Sequence, residues 1–265
     1  MASPLIDITT DGHVHTRLCH HAHGEMEDYV DAAIAVGLRK IIFLEHYETG
    51  ISYFESTWLT DENFVWYLEE GRRLADKYRD RIRVGVGVEV GANPDRLDET
   101  MKFLGRHRWE RIGLSYHYLR EGEQFVNVVS RRPANLELME KIGYDHVADR
   151  YFAGLEKALA VIPATVVCHL DAVLRHCPDF SFAPRHHAAM GSILAKMRRK
   201  GVALEINTSG FSLRGEQFPA LSVIRRAVAM GIELVAGSDA HRPADVGRFF
   251  GRLPAVLAGE DAMPE

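Results

Sequence analysis

Short apolar runs alternate with amphipathic stretches along almost the whole chain. The runs at 40–46 (KIIFLEH) and 83–90 (RVGVGVEV) are largely apolar, which is typical of strands buried on both faces of a parallel sheet. The stretches at 25–36 and 61–78 carry apolar residues at helical spacing, and Gly37 is a stop signal for the first. Because parallel strands need crossover connections, this alternation predicts a parallel α/β fold.

The same pattern divides the chain into strand–helix units. The predicted strands are 6–11, 40–46, 83–90, 111–118, 165–169, 202–207 and 233–238. The predicted helices are 25–36, 61–78, 94–105, 135–162 (in two pieces broken near Gly143), 184–200, 217–230 and a short segment from Ala244 onward. Residues 119–133 are predicted to form an irregular loop. Seven units without a repeat or a linker favour a single α/β domain over residues 1–265, a distorted (β/α)7 barrel.

Composition narrows the class of protein. The chain has 265 residues, of which 46% are hydrophobic, and a formal net charge of -5, so nucleic-acid binding is not expected. Its three cysteines lack CxxC spacing, which favours a reducing compartment over a disulfide framework. Neither a signal-peptide pattern nor an apolar run of about eighteen residues occurs, so we expect a cytoplasmic protein without membrane contact. The oligomeric state stays open.

Histidines are concentrated in residues 11–23, around the end of the first predicted strand. His13 and His15 are two residues apart, so on a strand both imidazoles face the same side. More histidines and carboxylates fall at the ends of later strands, and in a parallel barrel these ends meet at one mouth. The predicted metal ligands are His13, His15, His21, His46, Glu89, His117, His169, Asp239 and His241.

This set of donors indicates metal-dependent hydrolysis. Imidazole and carboxylate suit zinc, iron or manganese, and nine donors exceed the needs of one ion. We therefore expect two to three divalent ions, with Glu89 as a bridge because it lies deep in a strand. A water between two ions loses a proton near neutral pH, and the ions also hold the oxygens of a phosphoryl group. A small phosphate ester is the expected substrate class.

Three further polar residues have structural interpretations. Glu45 should face away from its neighbour His46, and we expect it to pack or to cap a helix. Asp171 either orients the ring of His169 or caps the following segment. Asn207 either donates a hydrogen bond to substrate or satisfies backbone groups.

Arginines near the mouth are candidates for phosphate binding, because a guanidinium binds phosphate through two parallel hydrogen bonds. The arginines considered are Arg17, Arg150, Arg175, Arg214 and Arg242. The residues predicted to bind substrate are Arg17, Arg150 and Arg242.

Six short motifs occur in order along the chain. They are HVH at 13–15, FLEH at 43–46, GVEV at 87–90, LSYH at 114–117, CHLD at 168–171 and GSDAH at 237–241. Together they resemble the ordered motifs of the PHP (polymerase and histidinol phosphatase) superfamily. The HxHTxxCxH spacing and the run ALEINTSG look most like the monofunctional histidinol-phosphate phosphatases. The resemblance covers roughly residues 6–248, but FLEH departs from the commonest form and the loop 119–133 finds no match.

The resemblance implies a (β/α)7 barrel with a trinuclear site for zinc, manganese or iron. It implies a first ion on His13, His15, Glu89 and Asp239. It implies a second ion on Glu89, His117 and His169, and a third on His21, His46 and His241. Glu89 and Asp239 would be the catalytic residues, and Arg150 resembles a substrate-contacting position.

The activity that the resemblance implies is phosphomonoester hydrolysis in histidine biosynthesis. A metal-bridging hydroxide would convert L-histidinol phosphate to histidinol and phosphate. One alternative is a PHP-type phosphoesterase that acts on a nucleotide or another small ester. A second is a non-catalytic metal-binding module, which the intact ligand set opposes. A third is a metal-dependent amidohydrolase, which the lack of a lysine suited to carbamylation at a strand end opposes.

Overall fold

The parallel strands form a nearly closed barrel. The computed structural model describes residues 6–177 and 180–259. Its strands are β1 (Thr10–Val14), β2 (Lys40–Glu48), β3 (Arg83–Gly91), β4 (Ile112–Ser115), β5 (Tyr118–Glu121), β6 (Gln124–Asn127), β7 (Val166–Val167), β8 (Ala203–Asn207) and β9 (Leu234–Gly237). Seven of them pair in the order β1-β2-β3-β4-β7-β8-β9. The backbone N–H of His15 donates to the carbonyl of Ala240 at 3.0 Å, which brings β1 beside the end of β9. The predicted seven-stranded barrel is confirmed.

Helices surround the barrel and cover its outer face. They are α1 (Met26–Ala35), α2 (Asp61–Tyr78), α3 (Leu97–Leu104), α4 (Pro133–Ile142), α5 (Tyr144–Val161), α6 (Pro184–Lys200), α7 (Gly210–Arg214), α8 (Leu221–Ala229) and α9 (Leu253–Ala258). In α2 the buried side chain of Tyr67 donates its hydroxyl to the carbonyl of Gly87 in β3 at 2.9 Å. Apolar packing and such hydrogen bonds hold each helix against the strands. No helix within 6–177 and 180–259 is long and apolar enough to cross a membrane.

The barrel interior is filled by a small apolar cluster. Its members are Ile42, Leu44, Val166, Cys168 and Ala203, all buried. Ile42 and Leu44 share a face of β2 with His46, because side chains alternate along a strand. A Cβ at Gly113 would lie 2.7 Å from the Cys168 sulfur and 2.8 Å from Leu44, so only glycine fits this position. The cluster forms an apolar floor beneath the mouth.

The first strand lies further along the chain than predicted. The hydrophobic pattern indicated 6–11, whereas β1 runs from Thr10 to Val14. Asp11 is buried inside the strand, where its carboxylate accepts hydrogen bonds from the backbone of Ser238 at 3.0 Å and of Gly247 at 2.9 Å. A charge with such partners can lie in a strand, although a pattern based on hydrophobicity places it at an end. His13 therefore lies within β1.

The predicted irregular loop at 119–133 is wrong for most of its length. It contains the antiparallel hairpin of β5 and β6, followed by the start of α4. Gly122 forms the turn with a φ of 59°, and Leu119 and Val126 are buried. Each strand of the hairpin has only one adjacent pair of apolar residues, Tyr118-Leu119 and Phe125-Val126, so the signal is weak over such short strands. The hairpin lies beside the mouth because it follows the carboxyl end of β4.

Candidate metal centre

Glu89 lies at the centre of the barrel mouth, near the carboxyl end of β3. Its carboxylate is buried, and its two oxygens contact different histidines. Oε1 lies 2.9 Å from Nε2 of His169 and 3.3 Å from Nε2 of His117. Oε2 lies 2.8 Å from Nδ1 of His46 and 3.4 Å from Nε2 of His13. One carboxylate thus joins two separate groups of imidazoles, as a ligand bridging two cations would.

Asp239 adds a second carboxylate to one of these groups. Its Oδ1 lies 3.2 Å from Nε2 of His15 and 3.9 Å from Nε2 of His13. Burial disfavours ionisation of Asp239, but the hydrogen bond with His15 and the charges of nearby histidines hold its pKa well below the usual value. Its φ of 53° is left-handed, a conformation that in residues other than glycine is concentrated at functional sites.

The three histidines of the predicted third ion are neighbours on the outer side of this group. The ring of His21 lies 4.4 Å from that of His241 and 5.5 Å from that of His46, between centroids. Nδ1 of His21 lies 2.8 Å from the carbonyl oxygen of Cys19, and Nδ1 of His241 lies 3.0 Å from that of Asp239. Each Nδ1 is therefore the donor, because a carbonyl only accepts. Nε2 of both rings is left with its lone pair for another partner.

The centre has the chemistry of a site for divalent cations. Nε2 of His13 and Nε2 of His15 lie 3.0 Å apart, although two imidazole lone pairs repel unless a proton or a cation lies between them. Nε2 of His241 is buried without a hydrogen-bond partner among the described residues, and Oε2 of Glu89 and Nδ1 of His46 lie 2.8 Å apart without forming a hydrogen bond of normal geometry. Each such group costs about 1–3 kcal/mol, so ligation would relieve the penalty. Imidazole and carboxylate are suitable ligands for such ions.

The role of each predicted ligand stays a prediction, but the structure brings all of them together at the mouth. It also brings in two buried carboxylates that the sequence analysis missed, Glu48 and Glu205. They lie behind the rings of His117 and His13 respectively. The sequence signal that could have identified them is a charged residue in or directly after an apolar run. Glu48 occurs in YET, which follows FLEH, and Glu205 occurs in ALEIN.

Glu45 has the structural contact that the sequence suggested and one more. Its Oε1 accepts a hydrogen bond from the backbone N–H of Thr16 at 2.5 Å, at the start of the 3-10 turn Arg17–Cys19. Its Oε2 lies 3.8 Å from Nδ1 of His15. Glu45 therefore supports the loop that carries His21 and also lies behind a predicted ligand.

The structure gives specific partners to two other residues. Asp171 accepts the backbone N–H of Ala220 at 2.8 Å and pairs with Arg214 at 3.2 Å, so its contacts lie 49 and 43 positions further along the chain and correspond to neither of the two expected roles. Asn207 accepts the backbone N–H of Ser209 at 3.0 Å and donates to Oδ2 of Asp239 at 3.4 Å. Asn207 thus satisfies backbone and also orients a predicted ligand.

The arginines predicted to bind substrate have other partners or are exposed. Arg17 pairs with Glu25 at 2.8 Å, and its side chain is half exposed. Arg150 donates to Glu121 and to the carbonyl of Arg120, which joins α5 to the hairpin. Arg242 is exposed and directly follows His241, in the segment after β9. Their role in substrate binding stays a prediction.

Arg175 is a partly buried arginine whose charge interacts with two carboxylates of the centre. Its Nε donates to the carbonyl of Val129 at 3.0 Å, and its terminal nitrogens make no hydrogen bond to the described residues. Burial lowers the pKa of its guanidinium, against the attraction of the Asp239 and Glu89 carboxylates. Its free terminal nitrogens and its electrostatic interaction with both carboxylates suit it to bind an anion at the mouth.

His15 and His117 are cationic at neutral pH when no metal is bound. Burial lowers the pKa of His15, but hydrogen bonds to Asp239 and Glu45 raise it to about 9. Burial also lowers the pKa of His117, whereas the charge of Glu89 and further hydrogen bonds raise it to about 10. Burial lowers the pKa of His13, but the charges of Glu205 and Glu89 raise it well above the usual value. In this state the protonated rings offset part of the negative charge of the buried carboxylates.

Metal binding should therefore release protons. Because a metal binds the neutral ring, loading the metal-free protein with zinc at pH 7 should release about one proton from each of His13, His15 and His117. Calorimetric titration in buffers of different ionisation enthalpy measures the number. The protonated rings stabilise the metal-free fold below pH 6.5, and this stabilisation is lost as the pH rises through about 9 and about 10. Tight zinc binding without proton release would contradict this description.

Comparison with known proteins gives two family matches. The PHP domain model matches residues 11–209, and a model described as PHP-associated matches residues 222–263. The chain is 30% identical over 247 residues to a protein of Deinococcus radiodurans named "Probable histidinol-phosphatase", covering 91% of this chain and 89% of that protein. It is 27% identical over 258 residues to the histidinol-phosphatase of Bacillus subtilis, covering 91% and 96%.

One similar solved structure is that of histidinol phosphate phosphatase from Lactococcus lactis, complexed with zinc, L-histidinol and phosphate. It has a TM-score of 0.79 and 20% sequence identity, covering 95% of this chain and 93% of that one. The similarity supports the barrel fold over almost the full length.

Proposed function

Because this chain belongs to the PHP domain family, we propose that it is a metal-dependent phosphomonoesterase that hydrolyses L-histidinol phosphate to L-histidinol and phosphate. The observation that carries the proposal is Glu89, whose two oxygens face two separate groups of histidines. The names of the relatives from Deinococcus and Bacillus support the substrate. The Lactococcus structure, which holds zinc, L-histidinol and phosphate, supports the same chemistry.

The ions are proposed to be held as the family resemblance implies. The first would lie on His13, His15, Glu89 and Asp239. The second would lie on Glu89, His117 and His169, and the third on His21, His46 and His241. When bound, such ions neutralise charge on the phosphoryl oxygens and make a coordinated water acidic enough to serve as nucleophile near neutral pH. Zinc is the proposed metal, and manganese or iron would suit the same donors.

The protein's own residues are proposed to bind the phosphate and to hold the Asp239 carboxylate in a fixed orientation. Arg175 has free terminal nitrogens and its charge interacts with the Glu89 and Asp239 carboxylates, so we propose that it binds the phosphate. Asn207 and His15 hold Asp239 from opposite sides, which fixes the orientation of its carboxylate. A fixed polar frame of this kind needs little reorganisation when charge develops during the reaction.

An aromatic rim is proposed to enclose the alcohol part of the substrate. Tyr118 directly follows His117, and its ring lies 5.1 Å from that of Tyr53 and 5.6 Å from that of Trp58. Its hydroxyl is 3.2 Å from that of Thr57. These contacts join the hairpin of β5 and β6 to the loop after β2, and both lie at the mouth. The rings of Tyr53 and Trp58 are partly exposed and are suited to stack on an imidazole-bearing alcohol, whereas Tyr118 is buried and packs against them.

A phosphate-release assay tests the proposed substrate. Zinc-loaded protein would be offered L-histidinol phosphate, nucleoside monophosphates and p-nitrophenyl phosphate under the same conditions. We expect the highest kcat/KM for L-histidinol phosphate. A higher value for a nucleotide would overturn the substrate and leave the phosphoesterase class standing. No release from any ester by protein with full metal content would favour a metal-binding module instead.

The cytoplasmic location stays a prediction, in agreement with three buried free thiols.

A further inference from the structure

Two buried carboxylates hold the outward-facing nitrogens of two predicted metal ligands. Oε1 of Glu205 lies 2.7 Å from Nδ1 of His13, and Oε1 of Glu48 lies 2.8 Å from Nδ1 of His117. The side chains of both glutamates are only 2% exposed. Burial of a carboxylate without a partner is costly, so each glutamate needs its histidine as a donor. When each ring is neutral, as a metal ligand must be, its one proton is accordingly assigned to Nδ1.

These contacts aim the opposite nitrogen of each ring at Glu89. Nε2 of His13 lies 3.4 Å from Oε2 of Glu89, and Nε2 of His117 lies 3.3 Å from Oε1. Glu205 and Glu48 therefore orient two histidines that face different oxygens of the Glu89 carboxylate. Glu205 also accepts the backbone N–H of His169 at 2.9 Å, so it touches two ligand-bearing segments at once.

The sheet makes room for both carboxylates with glycine. Gly91 is the register partner of Glu48 across β2 and β3, and a Cβ there would overlap the Glu48 carboxyl group. Gly237 in β9 is similarly close to the carboxyl group of Glu205, and to the Cβ of His13. Any larger residue at position 91 would displace the carboxylate behind His117. The lack of a side chain at these two glycines thus provides the space that each carboxylate occupies.

We propose that Glu48 and Glu205 are positioning residues, which fix the ring orientation and tautomer of His117 and His13 and thereby set the affinity of two different ions on either side of Glu89. The proposal rests on the metal-binding part of the proposed function and not on the identity of the substrate. Partners behind a ligating histidine typically change metal affinity by about 10–100-fold.

Zinc affinity of the purified full chain, measured by competition with a chromophoric chelator at fixed pH, tests the proposal. We expect Glu48→Ala and Glu205→Ala each to weaken one class of zinc site by about 10–100-fold. Glu48→Gln and Glu205→Gln should recover part of this loss, because an amide oxygen can still accept the Nδ1 proton. The visible spectrum of the cobalt-loaded protein should change in the alanine variants and recover partly in the glutamine variants. Glu110→Ala, which removes a carboxylate that pairs with Lys40 and Arg83 at the opposite end of the barrel, should leave affinity and spectrum unchanged.

Gly91→Ala provides a second route that keeps the glutamate. The three atoms nearest to the added Cβ all belong to the Glu48 carboxyl group, so this variant should reproduce the weakening seen in Glu48→Ala. In the double variant the two effects should not add, because the displaced group is already absent. If the alanine variants of the glutamates fail to fold, zinc affinity and the cobalt spectrum of Glu48→Gln and Gly91→Ala are compared with those of the wild-type protein instead.

The outcomes separate this inference from the proposed function. Wild-type zinc affinity and an unchanged cobalt spectrum in every Glu48, Glu205 and Gly91 variant would overturn the inference. Wild-type protein that binds no zinc would overturn the metal-dependent function on which it rests. Zinc binding that responds to the variants, in a protein that does not hydrolyse L-histidinol phosphate, would leave the inference standing and remove only the substrate.

Discussion

Replacing Glu89 with glutamine is expected to lower kcat for phosphate release by about a hundredfold to a thousandfold and to reduce bound metal. The amide has one oxygen and one N–H donor in place of two equivalent oxygens. Because Glu89 faces His117 and His169 with one oxygen and His13 and His46 with the other, one of the two groups would meet a donor. Phosphate release and elemental analysis of the purified variant measure both effects.

Glu110→Gln is the matched control for this substitution. Glu110 pairs with Lys40 at 2.6 Å and with Arg83 at 2.9 Å, at the amino-terminal end of the strands. Its loss should leave turnover and metal content near the wild-type values. Circular dichroism of both variants checks that the chain stays folded. Near-normal turnover of folded Glu89→Gln would rule out the bridging role.

Replacing Arg175 with alanine should lower kcat/KM by about a hundredfold and leave metal content unchanged. The guanidinium is held through Nε by the carbonyl of Val129, which leaves its terminal nitrogens free to bind phosphate. If Arg175 binds the phosphate as proposed, its loss removes charge-assisted hydrogen bonds to the anion. Steady-state kinetics together with elemental analysis separate loss of phosphate binding from loss of metal.

Two further arginine variants serve as the comparison and the control for Arg175→Ala. Arg150→Ala tests the residue that the family resemblance favoured, and its contacts with Glu121 and Arg120 suggest a smaller effect of less than about tenfold. Arg79→Ala removes an exposed arginine at the end of α2, far from the mouth in the fold, and should change nothing. A larger loss in Arg150→Ala than in Arg175→Ala would return the phosphate-binding role to Arg150.

Much of the architecture could be predicted because it depends on local patterns. Buried parallel strands are continuous apolar runs, and α6 was bounded correctly because Pro184 and Gly201 flank its helical pattern. The predicted metal ligands could be grouped because the fold places strand ends together, so residues as distant as His13 and Asp239 were expected at one mouth. Hydrophobicity alone misplaced β1, since Asp11 is buried with partners that lie more than two hundred positions away.

What the sequence could not provide was the register between strands. Glu48 and Gly91 are opposite each other only because β2 and β3 pair in one particular register. Glu205 reaches His13 across a separation of 192 positions in the chain, through the close approach of β8, β9 and β1. The choice among arginines likewise depends on side-chain contacts, which is why Arg175 could be considered from the sequence but not preferred.

The most direct test of the central claim is phosphate release from L-histidinol phosphate by one preparation measured before metal removal, after it and after zinc is restored. The metal-free protein should show no hydrolysis above background, and activity should return in proportion to the zinc bound, up to two to three equivalents. Chelated protein that is verified as metal-free and still hydrolyses L-histidinol phosphate at the original rate would contradict the account.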